Sequence, residues 1–152
     1  MRFAMDSTTP ATLPTNLTIV GGYVNGAYKW AKADWDRFPG AVQLRINVTG
    51  EHTRGNVLDV ETGDATPADA PGWYDSITWI AKPELAVYCN RSNAATVVAA
   101  MGGRDWRLWL ATDDGSVPRS YAGRAVDAVQ YAADVAPWHA DFTAVLNEKW
   151  RT

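Results

Sequence analysis

The chain has 152 residues, of which 47% are hydrophobic and 20% charged, and its formal net charge at pH 7 is −3. This is an ordinary globular composition, and the length suits a single domain over residues 1–152 that buries roughly 70% of the surface of its unfolded chain. The negative charge argues against a protein that binds nucleic acid or an anionic membrane. No apolar run approaches the roughly 20 residues of a membrane span.

A single cysteine, Cys89, excludes an intrachain disulfide and is expected to be a buried apolar residue. With only His52 and His139 beside it, the chain cannot assemble a zinc site of the usual Cys/His kind. Glycine-rich phosphate-binding patterns are also lacking, so we expect no metal and no cofactor. The eight tryptophans are an unusually large number, and those outside the core could form apolar platforms for sugar rings.

Hydrophobic periodicity predicts alternating strands and helices. In chain order we predict a strand at 3–6, a strand at 17–24, a helix at 30–38, a strand at 41–48, a strand at 56–61, a helix at 69–81, a strand at 85–89, a helix at 93–101 capped by Ser92, a strand at 107–112, a strand at 125–131 and a helix at 141–150.

About seven strands with helices between most of them indicate a parallel sheet with right-handed crossovers. Acidic and aromatic residues at the strand ends favour a barrel with its site at the C-terminal rim. A complete eight-fold barrel needs at least roughly 200 residues, and only 12 residues separate Asp6 from Ile19. We therefore expect an α/β fold built as a trimmed TIM-like barrel in which loops replace some helices. An open doubly wound sheet is the alternative.

Asp59 and Glu61 stand at the C-terminal end of one predicted strand. Residues i and i+2 of a strand point to the same face, about 6.7 Å apart at their α-carbons, so both carboxyls would face one cavity. A like-charged neighbour raises the pKa of one carboxyl while the other stays ionised, which is the pair that glycoside hydrolysis needs. The alternative is a polar strand end whose acids pair with arginine or cap a helix.

Two further acids stand where they could reach the same rim. Asp6 ends the first predicted strand, or else caps the turn that follows it. Asp141 comes after the strand that ends in Gln130 and Tyr131, and it either caps the closing helix or turns toward the rim.

The order of these residues resembles the family 25 glycoside hydrolases, the lysozyme-type muramidases of bacteria and phages. The resemblance runs from residue 3 to residue 145, and it rests on an early acid, an Asp-x-Glu, a Tyr-Cys-Asn strand, a Leu-Trp-Leu-Ala strand, a Gln-Tyr pair and a late Asp. It implies hydrolysis of the β-1,4 bond between N-acetylmuramic acid and N-acetylglucosamine in peptidoglycan. By this resemblance, Glu61 is the acid/base, Asp59 its charge-stabilising partner, and Asp6 and Asp141 the outer acids. Its substrate-binding positions are Tyr88, Trp109, Gln130 and Tyr131.

The chain also departs from the family pattern. It is shorter, its first strand is followed by no predicted helix, and the strand at 41–48 lacks an expected aromatic residue at the rim. An inactive barrel that binds cell walls or serves as a structural phage protein is therefore the alternative, and a hydrolase for another envelope glycan is a third hypothesis.

The expected partners are peptidoglycan glycan strands, with no nucleic acid and no membrane insertion. The apolar run at the start of the sequence is too short, and polar residues follow it too early, for a signal peptide. We expect synthesis in the cytoplasm and action on the cell wall after release, or a place in a phage particle.

Overall fold

The protein is described here by a computed structural model covering residues 1–51 and 54–150, and His52 lies outside the described residues. Two single-turn 3-10 helices occur at Pro10–Thr12 and Lys82–Glu84. The strands and α-helices follow in the order β1 (Arg2–Asp6), β2 (Ile19–Tyr23), α1 (Lys32–Trp35), β3 (Val42–Asn47), β4 (Val57–Val60), α2 (Asp69–Ser76), β5 (Ala86–Asn90), α3 (Arg91–Met101), β6 (Arg107–Ala111), β7 (Ser120–Tyr121), β8 (Arg124–Ala125), β9 (Ala128–Val135) and β10 (Ala140–Val145).

Eight of these strands close into a barrel in the order β1-β10-β9-β6-β5-β4-β3-β2. Seven of the eight strands, β1 to β6 and β9, run in the same direction. The eighth strand, β10, lies between β9 and β1 and runs antiparallel to both. The pair β7–β8 forms a separate small sheet. The α/β barrel is therefore confirmed, while the open sheet is excluded and the expectation of a wholly parallel sheet is corrected by β10.

Alternation along the strands divides the core between the inside and the outside of the barrel. In β5, Ala86 and Tyr88 face the interior, and Val87 and Cys89 join the cluster beneath α2 and α3. Cys89 is fully buried, as predicted. A third cluster gathers around Trp30 on the other flank of the barrel.

Short connections replace crossover helices on one side of the barrel. Only the 3-10 turn Pro10–Thr12 lies between β1 and β2, as the short spacing predicts. Helix α1 is limited to Lys32–Trp35 instead of the predicted 30–38, because Trp30 and Phe38 pack their rings against one another from irregular backbone on either side of it. Among the described residues, no helix has the length and apolar character to cross a membrane.

The helix predicted at 141–150 is wrong, because the segment forms β10 (Ala140–Val145). Its residues alternate across the sheet: Thr143 points inward, where its hydroxyl accepts a hydrogen bond from Trp109 at 3.1 Å, and Phe142 packs on the outside. β10 pairs with the facing edges of β1 and β9, and a helix in its place would leave the backbone groups of those two edges unpaired.

The two longer helices also differ from the prediction at their ends. Helix α2 ends at Ser76, five residues before the predicted end at 81. Helix α3 begins at Arg91, and its cap is Asn90 instead of Ser92: the Asn90 Oδ1 accepts a hydrogen bond from the Asn93 amide at 3.0 Å. Asn90 sits at the exact junction where the strand backbone turns into the helix, so its side chain reaches the free amides.

Gly21 leaves the space that the Asp6 side chain occupies. A Cβ at position 21 would lie 2.5 Å from the Asp6 Cβ, an atom that cannot rotate away. We expect Gly21→Ala to lower the free energy of unfolding by about 1–3 kcal/mol, measured by denaturant unfolding. Gly40→Ala is the matched control, because a Cβ there meets nothing within 4 Å. Equal destabilisation by the two variants would contradict this account.

Candidate active site

The carboxyl ends of the parallel strands meet at one end of the barrel and surround a cavity of about 60 Å³. We call it the acid cavity. Its walls consist of acids, aromatic rings, one amide and one aliphatic side chain. They are Asp6, Tyr23, Ile46, Asp59, Glu61, Tyr88, Trp109, Gln130 and Asp141.

Strand register brings these side chains together from distant parts of the chain. Asp59 on β4 pairs with Tyr88 on β5, and Tyr88 pairs in turn with Trp109 on β6. On the opposite wall, Asp6 on β1 pairs with Asp141 on β10. Residues in register on neighbouring strands point to the same side of a sheet, so each set forms one continuous wall of the cavity.

Seven of the eight residues predicted from the sequence lie in this cavity, and Tyr131 does not. Tyr131 follows Gln130 on β9, so its side chain points to the outer face of the barrel. There it packs against the cluster beneath the helices and contacts Phe142, with ring centroids 6.5 Å apart. The structure thus separates the two residues of the Gln-Tyr pair and leaves only Gln130 as a cavity residue.

Two of the acids are buried without a complete set of partners. Asp6 is 3% exposed and Asp59 is 5% exposed. Each has a buried Oδ1 atom that makes no hydrogen bond within the described part of the chain. A buried polar atom of this kind costs stability, and here both atoms belong to residues that line the cavity.

Burial is the main cause of the raised pKa values in this cluster. It raises the pKa of Asp59 to about 8, with further contributions from the charges of Glu61 and Asp64. Burial, followed by the charges of Asp141 and Asp59, holds the pKa of Asp6 well above its usual range. The site therefore retains protons at a pH where exposed carboxyls have lost theirs.

The pKa of Glu61 is also raised, first by burial and then by the charges of Asp113 and Asp64, while a hydrogen bond with Tyr88 acts in the opposite direction. Burial likewise raises the pKa of Asp141.

Although these acids surround one cavity, no group of three or more His, Cys, Asp or Glu residues within 1–51 and 54–150 is arranged to hold a metal ion.

Tyr23 is a wall residue that the sequence analysis missed. The rim aromatic expected on the strand at 41–48 is supplied by β2, while β3 contributes Ile46. The sequence indicates this position for Tyr23, because Tyr23 stands near the end of the predicted strand 17–24, just as Asp6 ends the strand before it. Neighbouring parallel strands end at the same rim, so an aromatic residue on either can occupy this part of the wall.

Asp113 is the second missed residue, and it holds Gln130 in place. Its backbone is left-handed, with φ at 53°, which is uncommon for a residue other than glycine. The Gln130 Nε2 donates a hydrogen bond to the Asp113 Oδ1 at 3.1 Å. This bond engages the amide nitrogen and leaves the Gln130 Oε1 as the acceptor available to the cavity.

No family model matches this chain, and no curated protein matches it. Among solved structures, it is similar to an uncharacterized protein of B. stearothermophilus, solved as a crystal structure at 1.07 Å. The TM-score is 0.67 with 15% sequence identity, over 95% of this chain and 96% of that chain. At this level of identity the similarity shows a shared fold alone.

We expect Asp113→Asn to lower the pKa of Glu61. The variant removes a negative charge that raises this pKa, and asparagine tolerates the left-handed backbone. The measurement is an NMR titration of the Glu61 side-chain carboxyl. Asp36→Asn, which removes an exposed acid outside the cavity wall, should leave the titration unchanged. A Glu61 titration identical in wild type and Asp113→Asn would contradict the electrostatic account.

We also expect the fold to lose stability as the pH rises toward 8. The folded-state pKa of Asp59 is about 8, against roughly 4 for an unfolded aspartate. Its ionisation therefore opposes folding: this penalty is absent below roughly pH 4 and complete only above the folded-state pKa. Asp59→Asn should raise the free energy of unfolding at pH 8 by at least about 1 kcal/mol, since one pKa unit corresponds to about 1.4 kcal/mol.

Thermal unfolding of both proteins from acidic to mildly alkaline pH tests this expectation. The wild-type Tm should fall across that range, and the fall should be smaller in Asp59→Asn. Asp36→Asn serves again as the exposed-acid control and should follow the wild type. Parallel Tm curves for wild type and Asp59→Asn would show that the Asp59 carboxyl carries no such penalty.

Proposed function

We propose that this protein is a glycoside hydrolase that cleaves the β-1,4 bond between N-acetylmuramic acid and N-acetylglucosamine in peptidoglycan. The observation that carries the proposal is the pair Asp59 and Glu61, which lines one cavity with both pKa values raised. A pair of carboxyls that divides the roles of acid and charge stabiliser is the usual machinery of glycoside hydrolysis.

Two other considerations support the proposal. A trimmed TIM-like barrel with its site at the C-terminal rim would explain why the acids gather at the carboxyl ends of the parallel strands. The choice of peptidoglycan rests on the resemblance of the sequence to the family 25 muramidases, whose acids match Asp6, Asp59, Glu61 and Asp141 in order.

Glu61 is the proton donor in this proposal. It lies just beyond β4 and is only partly buried, and it lines both the acid cavity and a second cavity beside it. A glycosidic oxygen placed at the boundary of the two cavities would meet Glu61 first. The more deeply buried Asp59 lies behind it and acts on the charge that develops at the sugar.

The position of the proton changes during the reaction. In the free protein, burial raises the pKa of Asp59 to about 8, so that Asp59 holds a proton at neutral pH. Positive charge growing on the sugar ring favours an ionised Asp59, because opposite charges attract. The proton of the coupled pair therefore has to pass to Glu61 when the substrate binds, before Glu61 can give it to the departing oxygen.

Glu61 gives that proton to the departing oxygen. Asp59 stabilises the positive charge either directly or by holding the N-acetyl group of the substrate. Water then adds to the sugar carbon and returns its proton to Glu61, which now acts as base. Asp6 and Asp141 line the cavity beside this pair, and ionisation of either one would favour a positively charged transition state over the neutral substrate.

The size of the acid cavity favours a second candidate, a barrel that binds cell walls without cleaving them. The cavity of about 60 Å³ is well below the roughly 300–1,000 Å³ of pockets that enclose small ligands. It can hold water or one substituent of a sugar, and the ring itself would have to lie across its mouth.

The test is the release of reducing ends from purified peptidoglycan. We expect the wild type to release them and Glu61→Gln to be slower by at least about 100-fold, the lower end of the contribution of general acid–base catalysis. Circular dichroism should show the same fold in both. Glu51→Gln, which changes an exposed glutamate that lines neither cavity, should keep wild-type activity.

Full activity in Glu61→Gln would overturn the assignment of Glu61. If folded wild type releases no reducing ends yet sediments with cell walls, the second candidate would replace the first.

A further inference from the structure

A second cavity, of about 210 Å³, adjoins the acid cavity. It shares Tyr23, Asp59 and Glu61 with the acid cavity and extends over the ends of β1 to β4. We call it the flank cavity. Its other lining residues are Thr8, Asn25, Ala27, Tyr28, Val48 and Asp64.

We propose that the flank cavity binds one neutral N-acetylhexosamine ring of a glycan, packed on Tyr28, next to the bond that Glu61 would protonate. The inference rests on the proposed function for the identity of the glycan. The presence of a sugar-binding position rests on the cavity itself.

Tyr28 has the exposure that a stacking platform needs. The residue is 61% exposed. It stands against Tyr23, with ring centroids 6.4 Å apart and an angle of 56° between the ring planes. Tyr23 also lines the acid cavity, so the two rings form a continuous aromatic surface that leads from solvent to the acids. The C–H face of a sugar packs well on such a surface.

The loop that carries Tyr28 is held in place before any ligand binds. The Asn25 Oδ1 accepts a hydrogen bond from the Val48 amide at 2.8 Å, and its Nδ2 donates one to the Thr49 hydroxyl at 2.9 Å. Gly26 takes a positive φ of 78°, where a Cβ would also meet Val48 at 2.5 Å. A platform fixed in this way loses little conformational entropy on binding.

Charge favours a neutral ring over an anionic one. The flank cavity is lined by the acids Asp59, Glu61 and Asp64, and by no lysine or arginine among the described residues. The lactyl carboxylate of N-acetylmuramic acid would find no cationic partner in this lining, whereas N-acetylglucosamine carries no charge and needs none. Of the two sugars in the proposed substrate, the flank cavity therefore suits N-acetylglucosamine.

The flank cavity offers a surface for a sugar ring that the acid cavity is too small to hold. A sugar ring resting on Tyr28 would bring its glycosidic oxygen to the shared wall at Glu61, while only a substituent or a water entered the smaller space. One bound ring and one small cavity then suffice, and no pocket that encloses a disaccharide is required.

The experiment uses the full chain carrying Glu61→Gln, so that no ligand is cleaved, and titrates it with N-acetylglucosamine trimer by isothermal calorimetry. We expect binding that Tyr28→Ala weakens by about tenfold or more. Tyr28→Phe should retain the affinity, because the ring and not the hydroxyl forms the platform. The control Trp79→Ala removes another exposed aromatic residue, 50% exposed and outside both cavities, and should bind like its parent.

Absence of trimer binding by the parent, or equal affinity in the parent and Tyr28→Ala, would overturn the proposal. The hydrolysis assay separates its failure from failure of the proposed function. If the wild type and Tyr28→Ala cleave peptidoglycan with the same KM, only the proposed sugar-binding role of the flank cavity is contradicted. If trimer binding depends on Tyr28 but the protein cleaves no glycan, only the proposed hydrolase function is contradicted.

Discussion

Closure of the barrel by β10 is the constraint on which the candidate site depends. This strand enters between β9 and β1 in the antiparallel direction, so both of its edges are paired and the barrel has no open edge. The same pairing sets Asp141 opposite Asp6 and Thr143 opposite Gln130. A segment near the end of the chain thereby completes a cavity whose other walls come from β1 to β6 and from β9, and without it Asp6 would face solvent on one side.

Several features at this end of the barrel lower the stability of the fold. Asp6 and Asp59 are buried acids with oxygen atoms that no described residue satisfies, and Asp113 adopts a left-handed backbone beside them. Such features persist only when the surrounding structure is strong enough to impose them. The interior below the cavity provides that support, since Trp109 packs against both Tyr88 and Trp150 in edge-to-face contacts.

Much of the sheet could be predicted, because strand positions and facing follow from a local period of two residues. That period places Asp59 and Glu61 in one cavity, and it also places Gln130 and Tyr131 on opposite faces of β9. The closing strand was missed for a different reason. The local preference of this segment is mixed, because Phe142, Thr143 and Val145 favour a strand whereas its alanines and Asp141 do not. Its strand conformation comes from pairing with β1, at the other end of the chain. Tertiary pairing overrides weak local propensity in this way.

The sequence by itself determined which residues form most of the parallel strands and which carboxyls stand at their ends, because both follow from contacts between near neighbours along the chain. Only the tertiary structure decided that Asp6 meets Asp141, that Gly21 makes room for Asp6, that Asp113 holds Gln130, and that Tyr23 and Tyr28 form one surface beside Glu61. These relations join segments that are distant along the chain or loops whose course no periodicity describes. Their geometry is set by barrel closure and strand register, and neither of these is encoded in any single stretch of sequence.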